Sequence, residues 1–319
     1  MRVAKVGSEK ASATHAAVQV IGLDLGGTKL HASTTTEDGH QGRHILEPTR
    51  TGSETELFEQ LIDVVWRLRD GRSGAIVAIG APGAITQPQG VVDLVPNLPL
   101  TAGRPLGKDL EQVLRLPVAI ENDVNLAALA EARLGAGAHL DLVCFLAFGT
   151  GVGMGTVVGG RILRGAHGRA GEISYLPVGT SSADAKLTAA GQFEDLVGKH
   201  ALTERYSGIV VDGQALFEKA LQGDAEAIRA IEETAAHAAL GVVGVQSLLD
   251  PDLIVLGGGI GMQKLLFERL SQQASRLFPF PINLRLSGLG AGAGLLGAII
   301  LGCDTAGLPV DGLLVHRAP

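Results

Sequence analysis

The chain has 319 residues, of which 46% are hydrophobic and 18% are charged, and its formal net charge is −7. This composition excludes an intrinsically disordered chain, and the length allows two domains with separate cores. The acidic balance argues against nucleic-acid binding, which needs clustered Lys and Arg. Cys144 and Cys303 are the two cysteines of the sequence, so we expect free thiols in a reducing cytoplasm and no disulfide framework.

The start of the chain and one long uncharged stretch bear on localisation. Residues 1–17 mix charged and small side chains without a continuous apolar segment, which predicts a tail and not a signal peptide. Residues 142–160 carry no charge but include several glycines, which favours two strands and a turn over a membrane span. We therefore expect a cytoplasmic protein with no membrane partner.

A glycine turn follows the first predicted strand, 18–23, and precedes a second strand, 30–36. The turn reads Asp24-Leu25-Gly26-Gly27-Thr28-Lys29. Two glycines let backbone amides approach phosphate oxygens, the Thr hydroxyl can donate to them, and Asp24 can hold Mg²⁺ through water. The same letters also suit a plain hairpin turn, so both interpretations stay open at this point.

Strands and helices then alternate, which predicts an α/β fold. Ser53 and Glu56 form a capping box for an amphipathic helix over 53–69. The pattern continues as strand 75–80, helix 109–114, strand 118–120 and helix 125–134. In the second half it predicts strand 142–147, a strand near 156–158, helical zones over 192–206 and 224–249, strand 253–256, and helices 263–277 and 294–302.

A second glycine turn, Gly149-Thr150-Gly151, lies between the strands of the second half and suggests an internal duplication. Neither turn has the Walker pattern. The nearest dinucleotide-like string, 288–293, lies too close to the C-terminus for such a fold, and we discount it. A turn at Asp250-Pro251-Asp252 is expected between helix and strand.

Asp123 lies between two amides, Asn122 and Asn125, where a strand meets a helix. A carboxylate at a helix N-terminus can accept a proton from a substrate hydroxyl and act as general base. The alternative is that Asp123 is an ordinary N-cap.

Further motifs accompany these in a fixed order. They are Gly80-Ala81-Pro82-Gly83, Pro96-Asn97-Leu98-Pro99, Gly165-Ala166-His167-Gly168-Arg169-Ala170-Gly171-Glu172-Ile173 and Leu256-Gly257-Gly258-Gly259. Together with the two glycine turns and the Asp123 segment, they make the chain from about residue 18 to 301 resemble the ROK family of bacterial sugar kinases and repressors. That family lies within the actin-like, hexokinase-like ATPase superfamily.

The resemblance implies a two-lobed actin-like fold in which each lobe has a ribonuclease-H-like mixed sheet flanked by helices. It implies a smaller lobe over 18–121, joined by a C-terminal helix at about 294–319, and a larger lobe over 122–293. It also implies ATP and Mg²⁺ as cofactors, a hexose as substrate, and a homo-oligomer, either dimer or tetramer.

Site residues follow from the same resemblance. Asp123 would be the base that takes the proton of the sugar hydroxyl. The other sugar-binding residues would be Gly83, Asn97, Asn122, Glu172, Tyr175 and Glu194. The nucleotide and its metal would be bound by Asp24, Gly26, Gly27, Thr28, Lys29, Gly149, Thr150, Gly151, Gly257, Gly258 and Gly259.

The chain departs from the family pattern after Glu172. Relatives continue with Ile-Gly-His and a cysteine-rich segment that binds structural zinc, whereas this chain has Tyr175 at the His position and no cysteine over 176–192. We therefore expect no zinc there, since such a site needs about four N or S ligands. Tyr175 leaves the sugar preference open. Glu194 echoes the end of the cysteine segment, and an exposed helix-start Glu is its alternative interpretation.

Three other charged or titratable side chains near these motifs could be functional or could be ordinary surface residues. His167 is expected to be a solvated loop residue. Lys29 and Arg169 can attract phosphate, and each can equally be a surface charge.

The resemblance implies a kinase that uses ATP, with glucose as the preferred acceptor. Alternatives are N-acetylmannosamine, another aminosugar or fructose as acceptor, polyphosphate as donor, and a catalytically silent sugar-binding regulator. Family repressors carry an N-terminal winged helix-turn-helix, which 17 residues cannot supply. The presence of Asp24 and Asp123 favours the active kinase.

Overall fold

The computed structural model describes residues 18–35, 41–71, 74–95, 98–178, 190–206 and 213–310. The strands within these ranges are β1 Gln19–Leu25, β2 Lys29–Thr35, β3 Gln41–Pro48, β4 Ala75–Ala81, β5 Ala84–Thr86, β6 Val91–Asp93, β7 Arg104–Pro105, β8 Val118–Asn122, β9 Leu142–Phe148, β10 Val152–Val158, β11 Arg161–Ile162, β12 Leu253–Gly257 and β13 Leu284–Leu286. The helices are α1 Glu54–Leu68, α2 Leu106–Leu114, α3 Asp123–Leu134, α4 Glu194–Val197, α5 Lys199–Arg205, α6 Gly213–Leu221, α7 Ala225–Leu249, α8 Gly258–Gly261, α9 Lys264–Leu277 and α10 Ala293–Ala306.

Two five-stranded sheets repeat one topology. The first has the order β3-β2-β1-β4-β8 and the second the order β11-β10-β9-β12-β13. In each, the first strand pairs antiparallel with the next in sequence and parallel with a later strand that follows helices. This repeat confirms the internal duplication that the two glycine turns predicted. A small third sheet, β5-β6-β7, is attached to the first half.

The two halves exchange their last helices. Helix α3 follows β8 of the first sheet but packs on β9 and β10 of the second, while α10 follows β13 of the second sheet and packs on β1 and β4 of the first. The two helices contact each other closely: a Cβ built on Gly297 would lie 2.0 Å from the Leu126 carbonyl oxygen. Only glycine therefore fits at position 297, and the crossing holds the two sheets together.

Three apolar clusters make up the core. One fills the first half beneath α1 and α2, one lies under α7 and α9 in the second half, and one lies between α3, α10 and the inner strands. Strand β4 is buried along its whole length, as the continuous apolar run predicted. The residue boundaries of the two lobes remain a prediction.

The Ser53 cap predicted for α1 is confirmed, and α7 has a cap that was not predicted. Ser53 Oγ accepts a hydrogen bond of 3.2 Å from the Glu56 amide at the start of α1. Asp224 Oδ1 accepts from the Glu226 and Ala227 amides at the start of α7. Such caps satisfy amides that have no partner within the helix.

Several predicted boundaries were wrong. Helix α3 begins at Asp123 and not at Asn125, because Asn122 is the residue that caps it. The predicted helix over 192–206 is two helices, since Gly198 is extended between them and the Lys199 amide donates to the Gly149 carbonyl. Gly258 and Gly259 form the first turn of α8 and are not a simple turn. Strands β3, β11 and β13, the third sheet and helix α6 were not predicted.

The uncharged stretch 142–160 forms the β9–β10 hairpin, as predicted. Among the described residues, no helix has both the length and the apolarity required to cross a membrane. Cys144 and Cys303 are buried free thiols.

Candidate active site

The carboxyl ends of the parallel strands β1, β4 and β8 meet in one row. Asp24 lies opposite Gly80, and Gly80 lies opposite Glu121. A Cβ on Gly80 would contact Leu126 and the backbone of Asp123, so this glycine allows α3 to approach the sheet. The row therefore brings Asp24 and the start of α3 to the same edge, where open α/β sheets bind ligands.

The first glycine loop is closed by its own backbone and by Thr49. The Gly26 amide donates to the Lys29 carbonyl at 3.0 Å, and the Thr49 amide donates to the Thr28 carbonyl at 3.0 Å. Thr49 Oγ1 donates to the Gly26 carbonyl at 2.6 Å. These bonds occupy three loop carbonyls, whose partial negative charge would otherwise repel a phosphate. They also use the Gly26 amide, which sequence analysis had expected to face the phosphate.

Asp24 lies against the first turn of α10. A Cβ built on Gly294 would lie 2.9 Å from Asp24 Oδ2, so the carboxylate and the helix start are in direct contact. The first amides of a helix have no partner inside it and favour a negative charge nearby. Burial, with a smaller contribution from the charge of Asp123, nevertheless raises the pKa of Asp24 to about 7.

Asp123 is the first residue of α3 and is not its cap. The Asn122 side chain caps the helix by accepting from the Asn125 amide at 2.9 Å, and its Nδ2 donates to the Gly83 carbonyl at 2.9 Å. Asp123 Oδ1 accepts from the Val124 amide at 2.9 Å. Burial raises the pKa of Asp123, and this backbone bond opposes the rise. The plain N-cap interpretation of Asp123 is therefore wrong.

Gly83 contributes through its backbone. Its φ is +97°, and a Cβ there would lie 2.4 Å from the Asp93 carbonyl oxygen. Glycine is required for this turn, which presents the Gly83 carbonyl to Asn122.

Glu172 is carried by a loop after β11. The preceding residue, Gly171, has a φ of +97° and accepts from the Met154 amide at 3.1 Å, which ties the loop to β10. Burial raises the pKa of Glu172, and the charges of Asp123 and Glu194 raise it further, while Arg169 lowers it. Such mutual effects require these carboxylates to lie within electrostatic reach of one another.

The second glycine loop packs beside the glycines after β12. A Cβ on Gly149 would lie 3.9 Å from both the Gly258 Cα and the Gly259 nitrogen. The loop is closed by the Gly149 amide, which donates to the Gly151 carbonyl at 2.9 Å. Thr150 is exposed at its tip. A Cβ on Gly258 would lie 2.4 Å from the Phe148 carbonyl oxygen, and Gly257 packs on the Phe145 ring.

Glu194 fastens this second loop. Its Oε2 accepts from the Val152 amide at 2.7 Å, and a Cβ on Gly151 would lie 2.7 Å from the same oxygen. Burial raises the pKa of Glu194, and the Val152 bond opposes the rise. The residue is half-buried and therefore not an exposed helix-start Glu. A cavity of 320 Å³ beside it is lined by Thr150, Ala190, Glu194, Asp195, Gly198, Glu204 and Arg205.

The remaining predicted residues are more exposed or fall outside the described ranges. Thr28 and Lys29 are exposed at the mouth of the first loop. Tyr175 ends a 3-10 turn after Glu172 and is 36% exposed. Asn97 and residues 179–189 lie outside the described residues, so the contact predicted for Asn97 and the absence of zinc remain predictions.

Sequence reasoning missed three residues of this site. Glu121 is buried beside Asn122 and pairs with Arg164, and Gly294 contacts Asp24. The glycine-rich string before α10 was a signal for Gly294 that we had discounted. No local pattern linked Glu121 to Arg164.

The comparisons with known proteins agree with this geometry. The ROK family model matches residues 20–304. The bifunctional enzyme NanE/NanK of Brucella melitensis is 33% identical over 299 residues, which are 90% of this chain and 54% of that protein, so the chain spans about half the length of this relative.

Two solved structures are similar over nearly their whole length. The ROK hexokinase of Thermus thermophilus has a TM-score of 0.79 at 31% identity, covering 91% of this chain and 99% of that one. A ROK family glucokinase of Streptomyces griseus, solved with glucose and AMPPNP, has a TM-score of 0.76 at 28% identity, covering 90% and 99%.

The duplicated mixed sheets with flanking helices are the actin-like ATPase fold. The chain belongs to the ROK family.

Proposed function

We propose that this protein is an ATP-dependent sugar kinase that transfers the γ-phosphoryl group to a hydroxyl of a hexose, with Asp123 as the general base. The observation that carries the proposal is the placement of Asp123. Its carboxylate lies at the start of α3, and its charge raises the pKa of both Asp24 and Glu172, which puts it within electrostatic reach of each. A base between a phosphate loop and a polar pocket is what transfer to a hydroxyl requires.

The sugar pocket would be formed around Asp123. Asn122 and Glu172 would hydrogen-bond sugar hydroxyls, and Asn97 and Tyr175 would complete the pocket. Asn122 has one side-chain bond to the Gly83 carbonyl and one to the Asn125 amide, so it is held in one orientation. Its second Nδ2 hydrogen and second Oδ1 lone pair are available by valence. Glu194 would act through its second carboxylate oxygen.

The phosphates would lie between the two glycine loops. Gly27, Thr28 and Lys29 would bind from one side, and Gly26 would shape that loop because its amide already donates to the Lys29 carbonyl. Thr150 and Gly151 would bind from the other side, where the Gly149 amide closes the loop, with Gly257 to Gly259 near the adenosine. Sugar phosphorylation itself depends on positioning and charge neutralisation more than on covalent chemistry. Closure of the two lobes would exclude water and limit ATP hydrolysis.

The residues present fit a Mg²⁺ ion. Asp24 is a carboxylate whose pKa is raised to about 7 mainly by burial, so a cation beside it would stabilise its ionised form. Mg²⁺ would neutralise phosphate charge when bound, and Asp24 would hold it through water. Burial raises the pKa of Asp123 above its ordinary range, the direction that makes a carboxylate a stronger base.

Glucose is the acceptor that we propose first, because a 28% identical relative was solved with glucose and AMPPNP. N-acetylmannosamine, another N-acetylhexosamine and fructose are the alternatives. We also propose that the protein works in the cytoplasm as a homo-oligomer, which light scattering of the purified chain would test.

The test is coupled ADP release with Mg-ATP and a panel of glucose, mannose, fructose, N-acetylglucosamine and N-acetylmannosamine. We expect turnover that depends on one sugar class, with glucose giving the highest kcat/KM. Turnover with polyphosphate but not ATP would correct the donor. Silence of a folded protein with every sugar and both donors would contradict the kinase and favour a sugar-binding regulator.

A further inference from the structure

One partly buried ion pair joins parts of the chain that the proposed mechanism needs at a fixed separation. Glu121 is the second-last residue of β8, directly before Asn122, and Arg164 follows β11 in the other half of the molecule. Arg164 Nε lies 2.5 Å from Glu121 Oε2. The Glu121 side chain is 2% exposed and that of Arg164 is 37% exposed.

We propose that the Glu121–Arg164 pair is a positioning device that sets the separation of Asp123 and Glu172 across the cleft. The inference rests on the proposed kinase function. It adds two residues to which neither the sequence motifs nor the comparisons assign a role.

Glu121 holds the chain segment around Asp123 through two hydrogen bonds. Glu121 Oε1 accepts from the Asn122 amide at 2.9 Å and from Asn125 Nδ2 at 3.0 Å. These two asparagines flank Asp123, and one of them caps α3. A single carboxylate oxygen therefore fixes the backbone before Asp123 and the side chain on the first turn after it.

Arg164 lies at the start of the loop that carries Glu172. The Arg164 carbonyl accepts from the Ala170 amide at 3.1 Å, which closes the loop between them. Glu172 follows two residues later. A shift of Arg164 thus moves the whole closed loop, and Glu172 with it.

The same loop also contacts the first half of the molecule at a second point. Thr86 Oγ1 donates to the His167 carbonyl at 3.4 Å. Gly168 has a φ of +70°, and a Cβ there would lie 2.2 Å from the Ile85 carbonyl oxygen. The loop begins in the second half but is aligned against β5 and β8 of the first.

The Glu121–Arg164 ion pair is the charged contact between this loop and the first half of the molecule. Because Glu121 is buried, removal of Arg164 leaves a desolvated carboxylate that must find another partner. When this carboxylate turns toward solvent to regain hydration, it gives up its bonds to Asn122 and Asn125, which disturbs the orientation of Asp123. Displacements of about 1 Å in a reacting geometry can lower rates by about 10²-fold.

The test compares Arg164→Met, Arg164→Lys, Glu121→Gln and the double variant Glu121→Gln/Arg164→Met. Arg161→Met is the matched control, because Arg161 is exposed on β11 and lies on the same hairpin. We measure kcat, the KM for the sugar and for ATP, and thermal unfolding, so that every rate refers to folded protein.

We expect Arg164→Met to lower kcat about tenfold or more and to raise the sugar KM, since the proposed base and the sugar contacts Asn122 and Glu172 are displaced together, while the KM for ATP changes less than about threefold. Arg164→Lys should recover part of kcat because it keeps the charge. The double variant should be no slower than the slower single variant, because both changes remove one interaction. Arg161→Met should match wild type.

Two outcomes separate the inference from the function on which it rests. A wild-type protein that turns over sugar, together with an unchanged kcat in folded Arg164→Met, overturns the inference alone. A second outcome is that kcat falls only in proportion to the fall in melting temperature across the variants of the pair, and that Arg164→Lys recovers neither. This outcome also overturns the inference, in favour of a merely structural pair. A wild-type protein with no sugar-dependent turnover overturns both.

Discussion

At the residue scale, the cleft contains several carboxylates whose negative charges repel one another. The charge of Asp123 adds to the raised pKa of Asp24, and the charges of Asp123 and Glu194 add to the raised pKa of Glu172. Burial is the larger cause in each case, because a desolvated carboxylate loses its hydration. A cation or a hydrogen-bonding sugar beside these carboxylates would therefore stabilise their ionised forms.

Asp24→Asn should change how stability depends on pH. Burial raises the pKa of Asp24 in the folded protein to about 7 from its ordinary value of 3.8. The folded state thus holds this proton more tightly, and the stability that it contributes is present below the unfolded pKa and lost as pH rises through about 7. Thermal unfolding with EDTA from pH 5 to 8 should show the variant gaining on wild type as pH rises.

The gain should level off above about pH 8, where the carboxylate is ionised in both states. Parallel curves for variant and wild type over the whole range would contradict the raised pKa.

Some of these residues could be predicted from the sequence and others could not. Asp24 and Asp123 stood out because each lies beside glycines or amides within a few residues. The Glu121–Arg164 pair did not, because its members are 43 residues apart and join only through the tertiary fold. Glu194 was predicted as a sugar contact, but its bond to the Val152 amide could not be foreseen across 42 residues.

At the element scale, the start of α10 is part of the site although it follows the chain's last strand. Gly294 lies in its first turn against Asp24. The sequence string before this helix was discounted because it did not fit a dinucleotide fold. Gly294, the residue directly after that string, instead allows a helix N-terminus to meet a carboxylate from β1, 270 residues earlier in the sequence.

Gly294→Ala should lower activity without lowering stability. The added Cβ would lie 2.9 Å from Asp24 Oδ2, so the carboxylate must move, while alanine favours the helix by about 1 kcal/mol. We expect kcat/KM for ATP to fall about tenfold, the loss of one well-placed group, with an unchanged or higher melting temperature.

Gly292→Ala is the matched control for this change. Gly292 lies two residues earlier with nothing within 4 Å of a built Cβ, and this variant should retain wild-type kinetics. Equal kinetics of the two variants would show that Asp24 tolerates displacement.

Element types were easier to predict than their boundaries. The long helices α1 and α7 were confirmed because their apolar residues recur with helical periodicity. Strand β4 was confirmed because it is a continuous apolar run. Short strands such as β11, with two residues, carry no periodicity of their own. The break between α4 and α5 depends on the Lys199 amide bonding to Gly149, a contact that local sequence does not encode.

At the scale of the whole molecule, duplication explains why the site lies where it does. Each half supplies one glycine loop after its first strand, and the helices α3 and α10 cross to the opposite sheet. The starts of these two helices carry Asp123 and Gly294, so each crossing brings one site residue to the junction. We propose that the lobes are 18–121 with α10, and 122–293.

This arrangement makes the junction a natural place for closure. The Glu121–Arg164 pair and the loop seated on β5 span it. Relative motion of the halves would therefore act directly on the separation of Asp123 and Glu172, which couples domain closure to the assembly of the base and the sugar contact.

The measurement that tests the account most directly is sugar-dependent ADP release by wild type and Asp123→Asn, with sugar affinity measured by calorimetry on the same preparations. Loss of a general base should lower kcat by about 10²- to 10⁴-fold, while sugar affinity is kept because the amide preserves the shape of the side chain. Turnover of the variant within about threefold of wild type would contradict Asp123 as the base.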